Sequence, residues 1–384
     1  MEKFFATCPR GLEQVLAAEL AQLGADSIQA VDGGVGFAGE IGTCYAVNLE
    51  SRVASRVLWR VGETGYRSDH DVYEAALRIE WPRWFSPRHS IRVNVAAIQS
   101  PVKSLDFVTL RVKDAVCDVF RMARSKRPDV DTRSPDVRVH AFLSRDTVTF
   151  YLDTSGEALF KRGWRSAPGA APLRENLAAG ILKLAGWSAP APLFDPMCGS
   201  GTFLVEAAMT ALDTAPGLGR TFGFERLANF DSKAWAILLE RARSRRRMSQ
   251  PLPIYGNDKS GSALKLARDN LAAADLESVV QLKQQDILDG GPPAAGGIIV
   301  MNPPYGERLA DKDELAAFYP KLGDALKQRY SGWTAYILTA DLRLAKLIGL
   351  AASKRTPLYN GALECRLFEF KLVAGSMRRT KRDA

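Results

Sequence analysis

From about residue 190 onward, short apolar runs alternate with stretches at helical spacing, and this alternation restricts the possible folds more than any other feature of the chain. The runs are APLFD, PIYGND, VVQLKQQD, GGIIVMNPP, WTAYILTA and RLFEFKLV. Each is long enough for one buried strand, and helical stretches separate them. Parallel strands need crossovers of that kind, so the pattern predicts an α/β fold with a mostly parallel, doubly wound sheet. In such sheets ligands sit beyond the carboxyl ends of the strands, which is where functional residues are to be sought.

One interruption stands out. Residues 212–250 break the rhythm with PGLGRTFGF and the arginine cluster RARSRRR at 241–247. The first part of the chain has a different character. Residues 1–60 mix β-like runs (EKFFATC, SIQAV, GVGFAG) with an amphipathic stretch in which Leu12, Val15, Leu16, Leu20 and Leu23 recur at helical spacing, as in a small α+β unit. From about 65 to 155, SIRVNVAAI, VRVHAFLS and TVTFYLDT bracket a helix whose apolar stripe is Val112, Ala115, Val116, Val119 and Phe120. KRGWRSAPGAAP at 161–172 reads as a hinge into the α/β part.

Composition narrows the function. The 384 residues are 46% hydrophobic and 25% charged, which excludes a disordered or fibrous chain and suffices for about two or three domains. Lys and Arg number 52 against 43 Asp and Glu, and the resulting charge of +9 favours a polyanionic partner. Five cysteines (Cys8, Cys44, Cys117, Cys198, Cys365) form no C-x-x-C pair and are not grouped with the three histidines, so neither a metal site nor a disulfide framework is expected. No signal-like segment opens the chain and no run of about 18 apolar residues occurs, so a cytoplasmic protein without a membrane partner is the expectation.

The sequence Asp195-Pro-Met-Cys198-Gly199-Ser-Gly201-Thr202 follows the first α/β strand and opens a helix, so its glycines stand where backbone must approach a ligand. The third glycine of the dinucleotide pattern is missing. Asp258, the next strand-end acid, lies well beyond the roughly 20 residues usual for a ribose carboxylate in NAD sites, and no Gly-Lys-Ser/Thr is present for a nucleotide P-loop. An acid just ahead of the loop suits a ligand with a cationic amino-acid end, and S-adenosylmethionine is such a ligand. Asp258 can then accept from ribose hydroxyls and Asp286 from the adenine amine.

Asn302-Pro303-Pro304-Tyr305 follows the apolar run GGIIVM and carries the chemistry. The prolines lack N–H groups and hold the chain extended, leaving the Asn302 side-chain oxygen free as an acceptor. Acceptors without competing donors suit a planar NH₂ group, whose lone pair they orient and whose developing positive charge they stabilise during attack on a methyl carbon. Tyr305 offers a flat face for stacking on the base or amide that bears the amine.

LFDPMCGSGTFLVEAAM, MNPPYGERL, the opening FATCPRGLEQVLAAEL and APLRENLAAGIL together resemble the bacterial THUMP-domain 23S rRNA guanine-N2 methyltransferases of the RlmL type, nearly end to end. The resemblance implies a ferredoxin-like unit over residues 1–60, interlocked with a THUMP RNA-binding domain over 42–155. It implies a linker over 156–172, a class I Rossmann-like methyltransferase domain over 173–376 and a basic tail over 377–384. Asp195, Cys198, Gly199, Gly201, Thr202, Asp258, Asp286 and Asn302 then fall at the cofactor, and Asn302, Pro303, Pro304 and Tyr305 in the catalytic motif. Larger relatives carry a second methyltransferase domain, so one activity is expected here.

The implied substrate is 23S rRNA or a large-subunit assembly intermediate. The motif alone would serve tRNA guanine N2, DNA adenine N6 or a glutamine amide equally well. A non-catalytic RNA-binding assembly factor is the reading from another class, and the intact acids and NPPY count against it. Candidate phosphate contacts are Lys103, Arg111, Lys113, Arg162, Arg165 and the 241–247 cluster.

Overall fold

The computed structural model describes residues 1–124, 126–165, 173–304 and 309–373. They form two compact units. One joins Met1–Gly163 to Ala215–Arg245, and the other joins Trp164–Thr214 to the chain from Arg246 onward.

The first unit is built on one seven-stranded sheet. Strands β1 (Glu2–Thr7), β2 (Asp26–Val31), β3 (Gly34–Gly39) and β4 (Arg56–Gly65) follow with helices α1 (Glu13–Gln22) and α2 (Ile41–Glu50) in the order βαββαβ. β1 lies antiparallel between β3 and β4, giving the ferredoxin-like order β2-β3-β1-β4. Phe4, Ala6, Val35 and Phe37 are buried, as are Leu12, Leu16 and Leu20 of the helical stretch.

Strand β4 runs on past β1 to pair with β7 (Thr147–Asp153), from Leu58↔Asp153 to Gly65↔Thr147. Beyond β7 lie β6 (Val137–Leu143) and β5 (Ile91–Ala97), so the ferredoxin-like strands and the three strands of the following region share a single sheet. Helix α3 (Asp69–Leu77) opens with a capping box between Ser68 and Asp71. Helix α4 (Leu105–Arg124) crosses between the parallel strands β5 and β6. Val112, Ala115, Val116 and Phe120 of its expected stripe are buried and Val119 half-buried.

The segment 215–245 lies inside the range expected for the methyltransferase domain yet packs with the first unit. Its helix α7 (Ser232–Ser244) is capped by Asp231. Tyr45 of α2 lies 4.4 Å from the Phe224 ring, and Phe222, Phe230 and Trp235 complete the aromatic cluster. Gly217 N–H donates to the Leu49 carbonyl at 2.9 Å, and a Cβ there would lie 2.8 Å from Leu49 Cα, so only glycine fits. Arg220 donates to the carbonyls of Glu157 and Ala158, and burial pushes its pKa down to about 10.

In the second unit, α5 (Glu175–Leu184) precedes β8 (Leu193–Asp195) and α6 (Thr202–Ala211). β9 (Ile254–Asp258), α8 (Gly261–Ala273), β10 (Gln281–Gln284) and β11 (Gly297–Met301) follow. Then come α9 (Leu309–Arg329), β12 (Trp333–Thr339), α10 (Leu342–Leu347), β13 (Lys354–Asn360) and β14 (Leu363–Lys371). The sheet order is β10-β9-β8-β11-β12-β14-β13. Strands β8 to β12 are mutually parallel, while β14 is antiparallel to both neighbours. Strand order reverses between β8 and β11, and the crevice beyond their carboxyl ends is the topological switch point where such sheets bind ligands.

Candidate active site

Asp195 is the last residue of β8 and only 2% exposed. Its side chain accepts the Met197 N–H at 3.2 Å. Burial holds its carboxyl well above the usual carboxylate range, and the nearby Asp258 adds to the rise. The same burial, with both carboxylates adding, pushes the Cys198 thiol up. All five cysteines are buried and unpaired with one another.

The loop after Asp195 turns through Gly199 at φ +52° and Gly201 at φ +78°, a backbone region that side chains disfavour. A Cβ on Gly199 would meet nothing within 4 Å, so the turn opens onto free space. A Cβ on Gly201 would lie 3.2 Å from Ala267 Cβ, where α8 passes close behind. Gly201 caps α6 without a side-chain bond, so the first N–H groups of that helix keep their donors for a ligand.

Asp258 ends β9 and braces the loop while remaining an acceptor. Its Oδ2 takes the Gly199 N–H and its Oδ1 the Ser260 N–H, each at 2.9 Å. Cys198 N–H donates to the Asn257 carbonyl at 2.9 Å, tying the same loop to β9. Asp286, half-buried beyond β10, accepts the Leu288 N–H at 3.0 Å.

Asn302 immediately follows β11. Its Oδ1 is buried and has no hydrogen-bond partner among the described residues. A buried acceptor left unmet is unfavourable by about 1–3 kcal/mol, a cost that a donor brought by a ligand would relieve. The two following residues are Pro303, buried, and Pro304, exposed, and neither has an N–H to offer it. Tyr305, the fourth residue of the motif, lies outside the described residues, as does the basic tail.

The candidate phosphate contacts fare unevenly. Arg162 is corrected: it is buried, and its guanidinium donates to the carbonyls of Leu159 and Arg52, each at 2.6 Å, instead of facing solvent. Arg165 is also turned inward, toward Glu175 and Thr202. Lys113 is half-buried and paired with Asp114, and Arg111 stacks 4.0 Å above the Tyr73 ring. Lys103, Arg241, Arg243 and Arg247 are exposed, while Arg245 pairs with Glu50. Sequence reasoning missed Asn270, buried on α8, whose Nδ2 donates to the Ser200 carbonyl at 2.9 Å. An asparagine within a helical run gives no sign of a partner 70 residues away.

Among the described residues no three His, Cys, Asp or Glu side chains gather into a metal site, and no helix is long and apolar enough to cross a membrane. A glycine loop between Asp195 and an uncapped helix, strand-end acids on β9 and beyond β10, and an antiparallel β14 within the sheet define a class I methyltransferase fold.

Comparison with known proteins agrees. The RMKL-like methyltransferase domain matches residues 162–369, the RlmL ferredoxin-like domain 3–58 and the THUMP domain 66–153. The chain belongs to this RMKL-like methyltransferase family, whose cofactor is S-adenosylmethionine. It is 42% identical over 382 residues to the ribosomal RNA large subunit methyltransferase K/L of Syntrophotalea carbinolica, covering 97% of this chain and 54% of that protein. The chain thus spans about half the length of the K/L relatives it matches. Its match to the putative RNA methyltransferase slr0064 of Synechocystis sp. is 37% identical and covers 96% of both chains. The solved structure of SMU.472, a putative methyltransferase complexed with SAH, superposes with a TM-score of 0.86 at 31% identity, covering 98% of this chain and 99% of that one.

Proposed function

We infer that the chain transfers a methyl group from S-adenosylmethionine to the exocyclic N2 amine of a guanine in 23S rRNA. The observation that carries this reading is the buried, unmet Asn302 Oδ1 at the end of β11, beside the strand that ends in Asp195.

The residues present fit the cofactor. The turn at Gly199 opens onto space, and Asp195 is a buried carboxyl with no cationic partner among the described residues. When bound, S-adenosylmethionine supplies an electrophilic methyl on a positively charged sulfur. Asp195 would neutralise the ammonium of the cofactor's amino-acid end, the α6 N-terminus would favour its carboxylate, Asp258 would accept from its ribose and Asp286 from its adenine amine. Cys198 and Thr202 shape the loop.

Asn302 Oδ1 accepts one hydrogen of the substrate NH₂, turning the nitrogen lone pair toward the methyl and stabilising the charge that develops on nitrogen. Pro303 and Pro304 keep competing donors away, and Tyr305 stacks on the extruded base. A side-chain base is unnecessary, because the proton becomes acidic once nitrogen carries the methyl. Positioning supplies much of the rate, on the order of several kcal/mol. The THUMP match and the +9 charge support RNA as the polyanion, with exposed Lys103, Arg241, Arg243 and Arg247 as phosphate contacts. The K/L relatives support large-subunit rRNA over tRNA and DNA.

Asn302→Ala is the test. Methyl transfer should fall by at least about a hundredfold, far more than any weakening of S-adenosylhomocysteine binding measured by calorimetry. Unchanged transfer would overturn the role given to Asn302.

A further inference from the structure

Arg165 stands one residue into the second unit, where the sequence offers it as a phosphate contact. Its surroundings are those of an internal brace. The side chain is 17% exposed, and Nε donates to Glu175 Oε1 at 2.9 Å. Nη2 donates to the Leu173 carbonyl and to Thr202 Oγ1, each at 3.2 Å, and Nη1 reaches Ser200 Oγ at 3.4 Å. The guanidinium also stacks 5.1 Å from the Trp164 ring centre. Two of these partners, Ser200 and Thr202, flank Gly201, so one planar group grips the cofactor loop on both sides of its second glycine.

We propose that Arg165 is a positioning residue for the cofactor loop and sets the affinity of the site for the amino-acid end of S-adenosylmethionine. The inference rests on the reading of Gly199–Thr202 as that loop. Ser200 is held from two directions, its hydroxyl by Arg165 and its carbonyl by Asn270. With both in place, the positive φ turns at Gly199 and Gly201 and the start of α6 stay in one arrangement, so no ordering is needed when the cofactor binds. A planar fork is required, because a lysine ammonium could satisfy Glu175 but not Leu173, Ser200 and Thr202 together. Glu175 is itself buried, and burial raises its carboxyl while Arg165 draws it down. Loss of Arg165 would therefore strand a buried acid, a purely structural effect that has to be separated from loop positioning.

The full chain is compared with Arg165→Met, Arg165→Lys and the double variant Arg165→Met with Glu175→Gln. S-adenosylhomocysteine binding is followed by calorimetry, 23S rRNA binding by filter retention and stability by thermal unfolding. Arg165→Met should weaken S-adenosylhomocysteine about tenfold, with Arg165→Lys in between, and leave RNA affinity unchanged. The double variant should recover the unfolding temperature but not the S-adenosylhomocysteine affinity. Parental S-adenosylhomocysteine affinity in the double variant would overturn the proposal, as would loss of RNA affinity alone in Arg165→Met. A parent chain that binds no S-adenosylhomocysteine would overturn the cofactor reading and this inference with it, whereas a parent that binds beside an unaffected Arg165→Met overturns this inference only.

Discussion

A carboxyl buried as deeply as Asp195 lowers the stability of the folded chain at neutral pH, and that burial suits the cationic end of the cofactor proposed for this site. Its folded-state affinity for a proton is raised, so between the ordinary carboxylate range and the raised value the folded chain holds a proton that the unfolded chain has released. Stability therefore falls as pH rises through that window. Asp195→Asn keeps the acceptor for Met197 N–H and removes the charge. In calorimetric scans near neutral pH the variant should unfold a few degrees higher than the parent, and the gap should close below about pH 4. S-adenosylhomocysteine binding should weaken at least about tenfold. A variant both less stable and unimpaired in binding would contradict this role. Cys198 shares the environment and should stay unalkylated by iodoacetamide near pH 8 in the native protein, as read by peptide mass spectrometry. At this scale the sequence was informative wherever chemistry is written into neighbouring residues. Asn302 could be read as an open acceptor because two prolines follow it. Arg162 is a buried brace where the sequence suggested a phosphate contact, because a basic residue near a hinge looks the same whether it meets phosphate or a buried carbonyl.

Among the elements, the turn from β8 into α6 is the most tightly specified. Gly201→Ala would force a side chain into φ +78° and press Ala267 at 3.2 Å, so it should destabilise the second unit by about 1–3 kcal/mol and weaken S-adenosylhomocysteine binding in the same preparation. Denaturant titration with and without ligand checks both effects. The strands on either side were legible because buried strands announce themselves as apolar runs: all six expected runs became strands. β13 was not legible. KRTPLYN is half polar and holds Pro357, features an edge strand tolerates because it pairs on one side only, with β14. α7 and its preceding turn showed only as an interruption, since the Tyr45 ring that organises Phe224 and Trp235 lies far away in sequence.

For the molecule as a whole, the chain passes between its two units three times, after Gly163, Thr214 and Arg245. The segment 215–245 is part of the first unit's core, so the unit that holds the ferredoxin-like and THUMP domains is not a contiguous piece of sequence. A fragment ending at residue 163 would leave Tyr45 and its neighbours without Phe222, Phe224 and Trp235. It should unfold at lower denaturant than the same unit in the full chain, and tryptophan fluorescence would show the difference. Within the full chain, Phe224→Ala should destabilise the first unit by about 3–5 kcal/mol while S-adenosylhomocysteine binding in the second persists. Function is assigned to the whole chain, and it is tested most directly by transfer of labelled methyl from S-adenosylmethionine to unmodified 23S rRNA, tRNA and duplex DNA in parallel, with mass spectrometry of the product nucleosides. The account predicts N2-methylguanosine in 23S rRNA alone; label on another nucleoside, or on tRNA or DNA instead of 23S rRNA, would contradict it.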